Sequence, residues 1–257
     1  MQIHHKPSKI LILGKSGSGK TTWLLRYVQN TPYTRVMIFD HKMEFQNRLK
    51  IQPVYSFEDV EKKFCAGEKI ISYHYSQEYP GDCENAFQDY SEWTYEACKA
   101  IESTGDGKSG TTLFVCDEVN RFTSPTDLGR GFKTLIEDGR LQGLDMVATS
   151  HAANQISNRL RLQLSEIVAL ETHDSRPLLF LEESGFNPDE VQKLNTGEYI
   201  VKNMDTDTFS RGRLFACSTV KKEVNQPQEQ PTTENQDNAI STPTENCDTV
   251  HGHSSPE

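Results

Sequence analysis

The chain of 257 residues lacks the features that mark a secreted, membrane-spanning or repetitive protein. Its six cysteines (Cys65, Cys83, Cys98, Cys116, Cys217, Cys247) form no C-x-x-C pair, and no signal-peptide pattern precedes the first strand-like run. That usage predicts a reduced, cytosol-like compartment, host cytoplasm or virion if the source is viral. The run from Ile10 to Leu13 falls far short of the ~20 apolar residues that a spanning helix needs, so no transmembrane segment is expected. No repeat of about 20 to 50 residues is visible, which excludes a solenoid. A basic excess is missing too: the formal charge of −10 argues against a generally sticky nucleic-acid binder.

Large apolar residues are scarcest at the C-terminal end. From Lys221 to Glu257 two lysines face seven carboxylates in a stretch rich in Gln, Asn, Thr, Pro and Glu, which places half of the net charge there. Such a segment cannot repay its ordering entropy. Residues 219–257 are therefore expected to be an acidic, polar, disordered tail, 1–8 an N-terminal extension, and 9–218 one folded domain with a sizeable α/β core.

What the chain does have is a glycine-rich loop in a telling place. Residues Gly14, Lys15, Ser16, Gly17, Ser18, Gly19, Lys20 and Thr21 read G-K-S-G-S-G-K-T, after the apolar run Lys9 to Leu13 and before the helix-like Thr22 to Val28. This fits the phosphate-binding pattern G-x-x-x-x-G-K-[ST] in its strand-loop-helix context. Glycines let backbone N–H groups turn toward a triphosphate at a helix N-terminus. Lys20 is expected to reach the β- and γ-phosphates of ATP, the Thr21 hydroxyl to bind Mg²⁺, and Thr22 to complete the nucleotide-binding set.

A second element follows about 100 residues later. Leu113 to Cys116 is an apolar strand that ends in Asp117 and Glu118, a Walker B pattern. Asp117 is expected to hold Mg²⁺, and Glu118 to polarise the water that attacks the γ-phosphate. A glutamate directly after the aspartate points to hydrolysis, and to an additional strand between the two motif strands; the candidate strands at Val36 and Ile70 intervene in sequence.

Strand-like runs at Lys9 to Leu13, Arg35 to Phe39, Lys69 to Tyr75, Thr112 to Cys116, Asp145 to Thr149 and Ile167 to Leu170 alternate with helical patterns. Alternation of this kind means a mostly parallel central sheet flanked by helices. From Asn85 to Thr104, Phe87, Tyr90, Trp93, Ala97 and Ile101 fall at helical spacing and predict core packing. Asp127 to Gly139 is a second amphipathic pattern, Gly105 to Gly110 a flexible loop, and Tyr199 to Val201 with Arg213 to Ala216 a closing hairpin.

Three further stretches carry a resemblance. Val36 to Phe45 contains Asp40, Glu44 and Phe45 as D-x-x-x-E-aromatic. Gly139 to His151 reads as G-R-x-x-G, an apolar strand and a polar end. Ile156 to Leu162 and Pro188 to Asn203 continue the pattern. Together with the two motifs they resemble the HerA/FtsK superfamily of P-loop ATPases, which includes genome-packaging ATPases of tailless, often membrane-containing viruses. The resemblance covers most of Lys9 to Phe215. It implies a RecA-like fold of the additional-strand, catalytic-glutamate type and an ATP-driven DNA translocase working as a homo-oligomeric ring, hexamer or pentamer, at a viral capsid vertex. It implies an arginine finger at Arg140, with Arg130 as its nearest competitor, and a sensor at His151, where the family has glutamine. Arg159, Arg161 and Lys108 are candidate DNA contacts, the DNA being double-stranded. Two other classes stay open at this point: another P-loop enzyme, either a kinase or a phage assembly ATPase, and a slow nucleotide-dependent binding switch.

Overall fold

The computed structural model describes residues 8–104 and 110–215. In chain order these form β1 (Lys9–Leu13), α1 (Lys20–Asn30), β2 (Arg35–Phe39), α2 (Glu44–Leu49), α3 (Phe57–Cys65), β3 (Ile70–Tyr73), α4 (Cys83–Thr104) and β4 (Thr112–Cys116). There follow α5 (Arg130–Asp138), β5 (Leu144–Ser150), α6 (Asn158–Arg161), β6 (Glu166–Leu170), α7 (Ser175–Glu183), α8 (Pro188–Gln192), β7 (Glu198–Asn203) and β8 (Thr208–Arg213). One sheet of eight strands runs β3-β2-β4-β5-β1-β6-β7-β8. The first six strands are parallel, and β7 and β8 add as an antiparallel hairpin.

The parallel strands are buried on both faces, so they read as continuous apolar runs. Alternate residues supply two separate cores. Leu11, Leu13, Met37, Phe39, Phe114 and Met146 face the aromatic layer under α4 and α5. Ile10, Ile12, Val36, Ile38, Val115 and Val168 face α1. Period-two alternation thus sorts one strand's side chains between two layers.

Helix α4 follows the expected amphipathic pattern, with full burial in its first half and partial burial along the stripe in its second. Phe87 and Tyr90 are fully buried. Trp93, Ala97 and Ile101 line a surface groove of about 370 Å³ beside Phe64 and Cys65 of α3. A helix of 22 residues is ~33 Å long, about twice the length of a five-residue strand; Thr94 and Cys98 of its second half are still buried, and Trp93 packs against the core. The crossing of α4 on α5 is close because position 131 is glycine: a Cβ there would lie 1.9 Å from the Gln88 carbonyl oxygen. The Gln88 side chain seals the junction, donating to the carbonyls of Phe122 and Leu128 and accepting from the Phe132 N–H.

Two expectations about order are corrected. The additional strand between β1 and β4 is β5. The strands at Val36 and Ile70 instead lie beyond β4, because β2 pairs with β4 on the far side. The closing hairpin exists, but its second strand is Thr208–Arg213 rather than 213–216. The Asn203 side-chain oxygen accepts from the N–H groups of Asp205 and Thr206 and reverses the chain at once. The expected tail, most of the N-terminal extension and Lys108 lie outside the described residues.

Candidate active site

In a parallel sheet the strands deliver their following loops to one edge, and three loops meet here. The first is the glycine-rich loop after β1. Gly14 is fixed by space: a Cβ would lie 2.6 Å from Ser18 Oγ and 2.9 Å from Leu170 Cβ. Gly19 is fixed by conformation as well, at φ 110°, where L side chains are strained. Lys15 N–H donates to the Glu171 carbonyl at 2.9 Å, and Gly197 N–H donates to the Ser18 carbonyl at 3.0 Å, so β6 and β7 brace the loop from outside. The first turn of α1 carries no side-chain cap and no acidic residue. Its N–H groups keep their capacity for an anion.

Lys20 curls into this loop, with Nζ donating to the carbonyls of Gly14 and Lys15 at 2.8 Å each. Burial lowers its pKa, and the charges of Asp117 and Glu118 partly oppose that shift. Thr21 and Thr22 sit half-buried in the first helical turn. Lys15 points away instead, pairing with Glu171 at 2.5 Å, and Glu171 is also held by His173 at 3.1 Å.

The second loop follows β4. Asp117 is 5% exposed, and its Oδ1 accepts from the Thr149 hydroxyl of β5. Burial raises its pKa, a cost that the Thr149 hydrogen bond and the Lys42 charge reduce. The same Thr149 oxygen accepts the Glu118 N–H at 2.9 Å. One hydroxyl therefore fixes both acidic residues to the strand between the motifs. Glu118 adopts φ 56°, ψ 53°, a left-handed conformation that a non-glycine residue keeps only where its surroundings impose it. That twist lets both carboxylates face the site, although adjacent strand residues point oppositely.

The third loop follows β2. Asp40 accepts from the N–H groups of Glu44 and Phe45 at 3.0 and 3.1 Å and so caps α2. The cap brings Lys42, Glu44 and Arg48 to the cleft. Lys42 Nζ lies 2.5 Å from Glu118 Oε1, and Arg121 Nε lies 2.5 Å from Glu118 Oε2. Burial pushes the Glu118 carboxyl up, but the hydrogen bonds of Lys42 and Arg121 outweigh it and hold the group below its usual value. Desolvation, with the charges of Lys42 and Arg121, pushes the neighbouring His41 down to about 4.

Ser16, Gly17, Gly19, Lys20, Thr21, Thr22, Lys42, Glu44, Arg48, Asp117 and Glu118 enclose a cavity of about 340 Å³. The donor set suits a magnesium nucleotide. Asp117 is a buried carboxylate whose hydrogen bond comes from a hydroxyl rather than a cation, a charge that a divalent ion would offset. Among the described residues no cluster of three or more His, Cys, Asp or Glu side chains could hold a metal. Mg²⁺ is commonly held by one or two protein oxygens together with phosphate and water, a number that Asp117 and Thr21 would supply.

The remaining expected residues divide by position. His151 ends the β5 segment, half-exposed, with Nδ1 4.0 Å from Glu118 Oε1. Arg140 lies in the turn Gly139–Gln142 before β5, exposed, near enough to Lys9 to lower its pKa after burial. It is thus at the end of the sheet opposite the cavity. Arg130 pairs with Glu92, Arg159 with Glu137, and Arg161 with Glu183. Lys42, Arg48, Arg121 and Thr149 also form part of the site; Lys42 and Thr149 lie inside the stretches 36–45 and 139–151, but the sequence patterns single out none of the four.

No family model and no curated protein sequence matches the chain. Solved structures do. The genome packaging NTPase B204 from Sulfolobus turreted icosahedral virus 2, in complex with AMPPCP, superposes with a TM-score of 0.62 at 15% identity, over 81% of this chain and 98% of that one. B204, described as the DNA-packaging ATPase of Sulfolobus Turreted Icosahedral Virus, gives a TM-score of 0.57 at 12% identity over 81% and 98%. The fold is shared. The cytoplasmic domain of the Thermomonospora curvata Type VII Secretion ATPase EccC gives a TM-score of 0.53 at 14% identity, over 80% of this chain and 24% of that one. The P-loop ATPase fold expected from the sequence is therefore the one observed, at identities where the likeness is one of fold.

Proposed function

We propose that the chain is an ATP-hydrolysing motor subunit that drives DNA into a viral particle, working as a homo-oligomeric ring. The observation that carries the reading is the cavity itself: the glycine-rich loop and Asp117-Glu118 open into one space, separated by the single strand β5. Lys20 neutralises the β- and γ-phosphates, and the α1 N–H groups hold the phosphate chain. Thr21 and Asp117 would hold Mg²⁺, which would supply charge neutralisation for the triphosphate. Glu118 orients the attacking water and accepts its proton. His151 stands beside that carboxylate as the polar sensor.

Arg140 supports the ring. Seven residues of β5 span ~23 Å, so this side chain cannot serve its own cavity and acts, if on ATP, on a neighbour's. Arg159 and Arg161 are neutralised within the chain by Glu137 and Glu183; a grip on DNA by either would exchange a carboxylate for a phosphate. Double-stranded DNA as the substrate, the ring channel and a capsid-vertex docking belong to the same reading; the fold shared with viral genome-packaging NTPases supports its packaging part. No helix among the described residues is long and apolar enough to cross a membrane. The test is ATP turnover measured with and without double-stranded DNA. Stimulation is expected, and an unchanged rate would reduce the chain to a generic ATPase.

A further inference from the structure

Both oxygens of the Glu118 carboxylate are occupied in this structure, Oε1 by Lys42 Nζ and Oε2 by Arg121 Nε, each at 2.5 Å. A carboxylate held in this way keeps lone pairs for water but is a poorer base toward it, since each charge-assisted bond offsets part of its charge. The two clamps differ in where they sit. Lys42 lines the cavity shared by Lys20, Thr21 and Asp117, whereas Arg121 does not. The arginine is half-exposed in the turn just after Glu118. Only the lysine can meet an incoming phosphate.

A third group marks the carboxylate's surroundings as unfinished. The His41 side chain is 6% exposed, and Nε2 lies 3.8 Å from Glu118 Oε2, too far for a hydrogen bond. Neither of its ring nitrogens has a partner. Buried polar groups are nearly always satisfied, so an orphan imidazole aimed at Glu118 fits a carboxylate that occupies more than one position.

We propose that Lys42 is a γ-phosphate contact that doubles as the restraint on Glu118. In the empty cavity it neutralises the carboxylate. When a triphosphate enters, Lys42 exchanges Glu118 for the terminal phosphate, and Oε1, no longer offset by the ammonium, becomes a stronger base for water. A diphosphate does not reach Lys42, so Glu118 stays restrained. The triphosphate thereby releases its own catalytic glutamate, while Arg121 keeps Oε2 in register. This inference rests on the ATPase reading above and adds a phosphate contact outside both sequence motifs.

The experiment is a fluorescence titration with mant-ATP and mant-ADP in magnesium buffer, on the full chain and on Lys42→Gln, Lys42→Arg and Arg121→Gln. Lys42→Gln should weaken mant-ATP by about tenfold and leave mant-ADP unchanged, the loss of one charge-assisted contact. Lys42→Arg should keep most of the preference, and Arg121→Gln should leave the ATP-to-ADP ratio as it was. Retained mant-ADP binding also reports that each variant is folded. An unchanged ratio in Lys42→Gln, or an equal loss for both nucleotides, overturns the Lys42 assignment alone. Failure of the unsubstituted chain to bind either nucleotide overturns the ATPase reading, and this inference with it.

Discussion

The two ends of β5 hold polar groups in opposite ways. At the start of the strand Asp145 is fully buried, and both its oxygens are in use: Oδ1 accepts the Ser8 N–H at 2.8 Å, and Oδ2 accepts the Tyr33 hydroxyl at 2.6 Å. Tyr27 adds a hydroxyl contact to Tyr33 at 3.1 Å. At the other end Thr149 binds Asp117 and Glu118, but what they face is a cavity. The first end ties β1, β5 and the α1–β2 loop together. The second has partners that the proposed reading would change: Lys42 would leave Glu118 for a phosphate, and Asp117 would gain a metal beside its Thr149 bond. Closed hydrogen bonding marks structure here, and exchangeable bonding marks chemistry.

That contrast can be broken most sharply at Arg140, which sits at the closed end yet is read as catalytic. Arg140→Ala should lower ATP turnover by ~10³-fold or more, the magnitude for an arginine finger. Mixing it with Lys20→Ala subunits should restore part of the rate, because each variant spoils a different half of a shared site. Normal turnover by Arg140→Ala would return this residue to a purely structural end. Glu118→Gln comes next, with an expected loss of ~10²- to 10⁴-fold in steady-state turnover, while mant-ATP still binds. Hydrolysis at the original rate would remove Glu118 from the chemistry.

Two conservative substitutions compare the ends directly. Thr149→Val should cost about 1 to 3 kcal/mol in urea unfolding and also reduce turnover, since Asp117 and Glu118 lose their common anchor. Tyr33→Phe should cost a similar amount or less, because Asp145 Oδ2 loses its donor, and it should leave mant-ATP affinity unaltered. Equal effects of the two on turnover would erase the distinction. The smallest effect is in alkaline solution. Burial, followed by the hydrogen bond to Asp145, raises the Tyr33 pKa, so the folded state favours the neutral phenol. Its contribution is complete below the unfolded value of about 10 and is lost as the pH climbs from there toward the folded value. Urea midpoints measured from pH 8 to 11 should therefore fall less steeply for Tyr33→Phe.

What could be read in advance follows the range of the interactions. The glycine-rich loop and Asp117-Glu118 are legible because each is a contiguous pattern whose strand context is also local. The sheet class follows from alternation of apolar runs. Strand order does not, and the unannounced residues depend on it: Lys42 reaches Glu118 because β2 lies beside β4, and Thr149 reaches it because β5 lies on the other side. The motif spacing in sequence points to β2 and β3 as the intervening strands, whereas the strand that lies between β1 and β4 in space follows both in sequence. The aspartate of the D-x-x-x-E stretch stands out in the sequence, but its work as the cap of α2 emerges only once its hydrogen bonds are known. On α4 periodicity reports the helix's apolar side but not the depth of burial along it: Phe87 and Tyr90 are fully buried, Trp93 packs against the core, and Ala97 and Ile101 line a groove.

The interposition of β5 also has a mechanical side. Two strand spacings separate β1 from β4, about 10 Å, and no backbone hydrogen bond joins them directly. A magnesium nucleotide seated between Lys20 and Asp117 would act as a cross-brace over that gap, so that the rigidity of the upper edge becomes a property of occupancy rather than of the chain alone. Ligand at a hundredfold excess over Kd adds about 2.7 kcal/mol to stability. With β5 as the braced element, each turnover would alternately stiffen and slacken the strand whose far end presents Arg140.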